Sequence, residues 1–520
     1  MSSAATSQFL WIVVCAFLFG FIYAFGIGAN DVANAFASTV ASKSLTLFQA
    51  VIAAAIFEFG GSVLLGAQVT GTIRSKIFDI KLYEDEPQIV MLGMFTSLIT
   101  STFMLLSATY FGMPVSTTHT IVGGIMGFSI CAKGFSSISV DVASKIFISW
   151  ILSPGISAIF AFIFFFCVKK FVMTSPNPYN RAYYSFPIIL FIFIGIDMFY
   201  ILYKGMNNVI GDALELYWVI PSSFGIGALA GLIWILILGP IARKRIEAQM
   251  AKKEQETKEK PVEKEQAAGD VSMDCDEEID CDSKVAVLPS APEKVVKEKD
   301  IELAEPEEKK TLYQKFTDMT YGQDLHEQSM REDENALKLW DAAEEFDPTA
   351  EQMFTYVQVF TACLNAFAHG ANDVANAIAP LSAILLIYDT GELSSKAPVE
   401  KWILVYGGFG IVMGLLFYGY KVMKSLGYKL TMLSPSRGAC AELAASLFVV
   451  TASVLEIPVS STQSIVGAVA GVGLTGGLNN IGWLFFAKVC VGWVTVFFSA
   501  VVLSMGLFSF VAFSPSLVTV

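Results

Sequence analysis

The chain has 520 residues, 54% of them hydrophobic, with 42 Phe and a formal net charge of −13. Its apolar residues run in blocks of about 18–25, long enough to cross a hydrocarbon core, and strand-like alternation is absent; a soluble domain and a membrane β-barrel are both excluded. The charge is local: residues 243–350 hold 30 acidic and 17 basic side chains, the rest of the chain holds 17 of each, and no basic surface for nucleic acid remains.

The first span is expected near 8–28. Ala33-Asn34-Ala35 imitates a signal-peptidase site, but no Lys or Arg precedes Lys43, so the stretch reads as a transmembrane helix rather than a signal peptide. Further spans are expected near 45–67, 89–111, 114–131, 143–168, 186–203 and 218–241, and then near 353–388, 402–421, 437–455, 458–476 and 481–512. The long stretch 353–388 is a candidate for a broken helix. The fold class is an all-α polytopic membrane protein with about 12 transmembrane segments. Its expected regions are 1–242, N-terminal transmembrane with a first repeat; 243–350, an acidic, largely disordered cytoplasmic linker; and 351–520, C-terminal transmembrane with a second repeat.

The linker is rich in Glu, Lys and Pro and cannot bury enough apolar surface to order itself. Cys275 and Cys281 within it have no zinc spacing, and Cys15, Cys131, Cys167, Cys363, Cys440 and Cys490 read as apolar packing residues. Its end, 311–347, carries Leu312, Phe316, Leu325, Leu337, Leu339, Trp340 and Phe346, the composition of a short amphipathic helix on the inner surface. Docking of a cytoplasmic regulator there stands against the plainer reading of a solvated segment.

Two motifs occur twice. Gly28-Ala29-Asn30-Asp31-Val32-Ala33-Asn34-Ala35 returns unchanged as Gly370-Ala371-Asn372-Asp373-Val374-Ala375-Asn376-Ala377. Pro114-Val115-Ser116-Thr117-Thr118-His119 aligns without gaps to Pro458-Val459-Ser460-Ser461-Thr462-Gln463, and the two offsets are 342 and 344 residues. Such spacing marks an internal duplication. An odd number of crossings separates the copies, so the repeats are inverted. Lys169-Lys170, Arg243-Lys244-Arg245 and Lys421, Lys424 and Lys429 fall on one side, which the positive-inside rule makes cytoplasmic; Arg74 and Lys76 are exceptions.

The chemistry follows from residue type. Pro followed by hydroxyl residues and an apolar run starts a helix, so Pro114 and Pro458 should each precede a short half-helix near the midplane. Its free backbone N–H groups and positive end favour an anion. Ser116, Thr117, Thr118, Ser460, Ser461 and Thr462 add a ring of neutral donors, suited to a tetrahedral oxyanion that must be released again. The alternative is that small residues merely let helices pack closely.

An intramembrane carboxylate costs roughly 2.5–3.5 kcal/mol on insertion scales, and the chain bears it twice, at Asp31 and Asp373. With Asn30 and Asn372 beside them these acids offer the oxygen ligands of a hard cation such as sodium; the alternatives are an interhelical hydrogen-bond clasp and a protonated, structural aspartate. Glu58 and Glu442 also lie within spans and read as cation or proton-relay acids, with a buried structural acid the alternative, whereas Asp197 reads as locally paired or as a protonated core acid. His119 is matched by Gln463 and His369 by Ile27, which argues against a symmetric histidine role, with pH sensing at His119 the remaining alternative. No nucleotide loop, zinc motif or Ser/His/Asp order is visible, so the chain is expected to be no enzyme, to need no cofactor and to use an ion gradient.

On these paired motifs the chain resembles the inorganic phosphate transporter (PiT) family of solute carriers, over nearly its whole length outside 243–350. The segments around Glu58, with Gly60-Gly61-Ser62-Val63-Leu64-Leu65-Gly66, and around Glu442 add to the likeness. The resemblance implies phosphate bound at an inverted-repeat interface, the hydroxyl motifs with Asn34 and Asn376 as phosphate ligands, and Asp31 and Asp373 on the coupling cation. It also implies a homodimer and symport with sodium, or with protons. The long loop and Val40-Ala41-Ser42-Lys43-Ser44-Leu45-Thr46-Leu47 look more like eukaryotic, sodium-coupled members, which points to the plasma membrane. Ser461-Thr462-Gln463 departs from the family's Thr-Thr-His. Sulfate is the competing substrate; a phosphate-sensing receptor and an anion channel are the competing classes.

Overall fold

A computed structural model describes residues 8–205, 214–266, 339–340, 343–394, 397–419 and 429–513, with backbone only at 32–34, 205 and 253–266. Cys275, Cys281, Leu312, Phe316, Leu325 and Leu337 lie outside the described residues. By contacts the chain divides into a large unit, Met1–Arg243 with Gln323–Val520, and a small one, Lys244–Gly322. The helices are α1 Leu10–Asn30, α2 Val32–Ala41, α3 Leu47–Leu65, α4 Ala67–Ser75, α5 Pro87–Tyr110, α6 Thr117–Lys133, α7 Val140–Val168, α8 Pro178–Tyr200, α9 Leu216–Ile233, α10 Gly239–Gln266, α11 Pro348–Thr390, α12 Lys401–Tyr418, α13 Pro435–Val454, α14 Ser461–Leu474 and α15 Trp483–Phe513.

Local sequence explains where these helices start. Proline occupies the first turn of α5, α8, α11 and α13, where its missing N–H costs nothing. A capping box of Thr46 and Gln49 opens α3, and the Asp347 carboxylate accepts from Thr349 and Ala350 to open α11.

Each of the 12 expected spans corresponds to a helix, but only ten helices among the described residues are long and apolar enough to cross a membrane. The other two are α6, of 17 residues, and α14, of 14 residues, which begin after Pro114 and Pro458 as expected of half-helices. The identical octapeptides take different backbones. Asp31 interrupts the helix between α1 and α2, whereas α11 continues unbroken through Asp373 over 43 residues, so the break expected near 353–388 is absent.

Each half-helix folds back on the helix before it. The Lys133–Glu86 ion pair, 2.7 Å, joins the far ends of α5 and α6. Those ends share a cavity wall with Phe9, Trp11 and Phe513, so both ends of the described chain lie at that face. In the second hairpin, Thr431 donates to the Asn480 carbonyl at 2.7 Å, joining the open end of α13 and α14. The inner residues of the tips, 114–116 and 458–460, are buried and meet inside the protein: Thr118 Oγ1 donates to the Val459 carbonyl at 3.0 Å and Thr462 Oγ1 to the Val115 carbonyl at 3.4 Å.

Glycines permit the close crossings this requires. A Cβ on Gly370 would lie 2.1 Å from the Glu58 carbonyl oxygen, and one on Gly28 would lie 1.8 Å from that of Ile411. The first residue of each octapeptide is thus fixed by backbone-to-backbone approach between the two halves. Gly370→Val is expected to cost about 1–3 kcal/mol or more through overpacking. A thermal melt of the purified protein checks it; Gly71→Ala, with nothing within 4 Å of the added atom, is the control that should hold its Tm.

Candidate functional site

The hairpin tips meet the two octapeptides, and equivalent residues make equivalent bonds. Thr117 Oγ1 donates to Asp31 Oδ2 at 2.7 Å, and Ser461 Oγ donates to Asp373 Oδ2. Ser116 and Ser460 cap α6 and α14, accepting from His119 N at 3.3 Å and Gln463 N at 3.2 Å. Asn30 Oδ1 accepts from Val115 N at 3.1 Å while its amide donates to the Met113 carbonyl at 3.0 Å; Asn372 Nδ2 donates to the Val459 carbonyl at 2.8 Å. The asparagines therefore pin the tips. Asn372 Oδ1 has no hydrogen-bond partner.

Other contacts cross between the copies. Thr462 Oγ1 lies 3.2 Å from Asp31 Oδ1. Asn376 Nδ2 lies 3.2 Å from both Thr117 Oγ1 and Thr118 Oγ1 and 2.9 Å from Asp373 Oδ1. Thus Asp31, Thr117, Thr118, Asp373, Asn376, Ser461 and Thr462 form one cluster, each of them under 9% exposed. Asn34 belongs to α2, but its side chain lies outside the described residues.

The two glutamates have separate surroundings. Glu58 Oε2 lies 2.7 Å from His369 Nδ1, and His369 Nε2 lies 2.8 Å from Asp373 Oδ2, close but off the hydrogen-bonding direction. The imidazole therefore bridges Glu58 to the central cluster, and ligand atoms of Asp31, His369 and Asp373 fall within 4.8 Å of one another. Glu442 is away from the tips. Its Oε1 accepts from Ser38 at 2.5 Å, Thr39 at 2.8 Å and Gln358 at 3.3 Å, and its Oε2 accepts from Thr361 at 2.5 Å.

Sequence reasoning passed over His369 for want of a counterpart in the first half, although its i, i+4 spacing from Asp373 puts both on one helix face. Ser38, Thr39, Gln358 and Thr361 gave no signal, since a buried hydroxyl in a span reads as packing. His119 stands outside the cluster, its Nδ1 3.2 Å from the Trp493 carbonyl and its ring 3.8 Å from that of Trp150. Asp197 is buried, with Oδ2 lacking a partner.

Chemically, the cluster offers neutral hydroxyl and amide donors beside two carboxylates. The model of the phosphate transporter family matches residues 27–504, a range that contains both octapeptides and both hairpins. The chain belongs to that family. It is 33% identical to the phosphate-repressible phosphate permease pho-4 of Neurospora crassa, over 94% of this chain and 95% of that one. It is 29% identical to sodium-dependent phosphate transporter 1 of Mus musculus, over 95% of this chain and 94% of the other. Among solved structures, that of a sodium-dependent phosphate transporter superposes with a TM-score of 0.70 at 27% identity, covering 96% of this chain and 99% of that one. The protein is thus a helical, multi-pass membrane protein of a phosphate-transporting family and not an enzyme.

Proposed function

We propose that the protein is a secondary active symporter that carries inorganic phosphate into the cytoplasm, coupled to sodium, by alternating access where two inverted repeats meet. The observation that carries this reading is the matched bonding of Thr117 to Asp31 and of Ser461 to Asp373 at two hairpin tips that touch. Each hairpin returns to the face it left and so removes two crossings, which preserves the odd count between the copies and their inversion.

The bonding suggests how coupling works. Each carboxylate holds the hydroxyl that a phosphate oxygen would need. A cation that takes the carboxylate releases the hydroxyl and lowers the repulsion between Asp31, Asp373 and an incoming anion. Phosphate then binds through Ser116, Thr117, Thr118, Ser460, Ser461, Thr462, Asn34 and Asn376, and well only after the cation. Sodium is held by Asp31 and Asp373, with Asn30 and Asn372 pinning the tips and lending amide oxygen, and by Glu58 and Glu442. Three hydroxyl oxygens, of Ser38, Thr39 and Thr361, surround Glu442 beside the Gln358 amide, and oxygen is the ligand a hard cation selects; an imidazole is a poorer match, so His369 serves to orient Glu58 and Asp373.

The regions keep the bounds 1–242, 243–350 and 351–520. The protein works as a homodimer in the plasma membrane, and the linker receives a cytoplasmic regulator. Labelled phosphate uptake into vesicles, with choline replacing sodium, tests the coupling. Uptake should fall to background in choline; undiminished uptake transfers the reading to protons.

A further inference from the structure

Only two non-glycine residues among the described ones have positive φ, and one of them is Glu456, at +61°, on the tip of the second hairpin. Its counterpart at the 344-residue offset is Gly112 on the first tip, at +65°. The two tips therefore share a left-handed backbone, and one has the residue suited to it while the other has a glutamate that strains it. Strain of this kind persists where the surroundings hold it and the side chain is needed.

What holds Glu456 is the end of α4. Lys76 Nζ lies 2.9 Å from Glu456 Oε2, and Thr72 Oγ1 donates to the Glu456 carbonyl at 3.0 Å. No ionic bond of this kind ties Gly112. Both charged side chains are about two-fifths exposed, 41% and 42%, and Lys76 stands three residues before the charged segment Asp79–Glu86, so the pair lies outside the core at the charged end of α4. Three residues beyond Glu456 come the Val459 carbonyl and then the hydroxyls of Ser460, Ser461 and Thr462.

We propose that Lys76 and Glu456 are positioning residues for transport: an ionic latch that fixes the second hairpin tip, and with it that half of the phosphate donors, from the water-facing side. The inference rests on the reading of the tips as the phosphate site. The strained backbone gives the latch a ready release, because with the ion pair broken only the Thr72 hydroxyl still holds Glu456 in that conformation. Opening the latch leaves this tip held at Val459 by Asn372 and Thr118, without its anchor on α4.

The test uses the full chain in proteoliposomes with labelled phosphate, and compares Glu456→Gly, Lys76→Glu and the charge swap Lys76→Glu/Glu456→Lys. An exposed pair is worth at most about 1 kcal/mol, so each single change should raise KM for phosphate about fivefold with maximal rate kept within about twofold. The swap should restore KM. Glu456→Gly should keep or raise Tm, since glycine suits that backbone, which separates a lost latch from a lost fold. Hydrogen exchange at 457–464 should quicken in the single variants and recover in the swap. A wild-type KM in Glu456→Gly, or a swap no better than its single parts, overturns the latch. Absence of phosphate uptake by the unaltered protein would instead overturn the transport reading itself.

Discussion

Asp373→Asn is expected to remove sodium activation of phosphate uptake while leaving a folded protein. One Asp373 carboxylate accepts from Ser461, Asn372 and Asn376 and lies against His369. An amide of the same shape keeps one acceptor, and the Ser461 hydroxyl can turn to accept from the new N–H; the cost to folding is of order 1–3 kcal/mol. The charge is what is lost. At about 4 Å and an effective dielectric constant near 20, a unit charge contributes about 4 kcal/mol to holding a cation, roughly three orders of magnitude in affinity. Asp31→Asn should behave in the same way, because Thr117 donates to Asp31 as Ser461 donates to Asp373. The measurement is the sodium dependence of initial uptake rate, with Tm read alongside; half-activation by sodium at the unaltered concentration in both variants would remove the two aspartates from the cation site.

The second large effect concerns Glu442, and two substitutions divide its roles. Four donors converge on this carboxylate, from Ser38, Thr39, Gln358 and Thr361. Glu442→Leu strands them in a buried site at about 1–3 kcal/mol for each group left unpaired, so expression and Tm should fall sharply. Glu442→Gln lets the hydroxyls rotate and should retain most of the stability. Its loss is electrostatic, and uptake should become insensitive to sodium or cease. Equal Tm in the leucine variant and the parent would mean that these bonds do not support the fold. Normal sodium activation in the glutamine variant would make the residue purely structural.

Much of the fold could be read from the amino acids. Long apolar runs announce helices with little ambiguity, and two repeated motifs located the residues that the fold gathers at one point. Thr117, Thr118, Ser461 and Thr462 were legible as helix openings because proline and hydroxyl chemistry is local. The return of α5–α6 and α13–α14 as hairpins was not legible, since hydropathy measures length and composition but not the face at which a helix ends. Nor was the difference between the two identical octapeptides, broken at Asp31 and continuous at Asp373, because the neighbours decide it. His369 and the donors around Glu442 escaped for a related reason: symmetry singled out pairs, and the asymmetric contacts between the halves leave no repeated trace.

The last residues before α11 carry a consequence of their own. Arg437 lies against the paired rings of Phe165 and Phe346, 5.6 and 5.2 Å from their centroids, and donates to the Glu344 carbonyl. Glu344 also pairs with Lys169 at 2.5 Å, and Glu351 bonds Ser436 at the start of α13. These bonds fix the entry to α11 through side chains of α7 and α13 rather than through the chain that precedes Glu344. The anchor from Glu344 to Glu351 should therefore accept almost no insertion or deletion, which ties the chain length at this junction to the packing of α7 against α13.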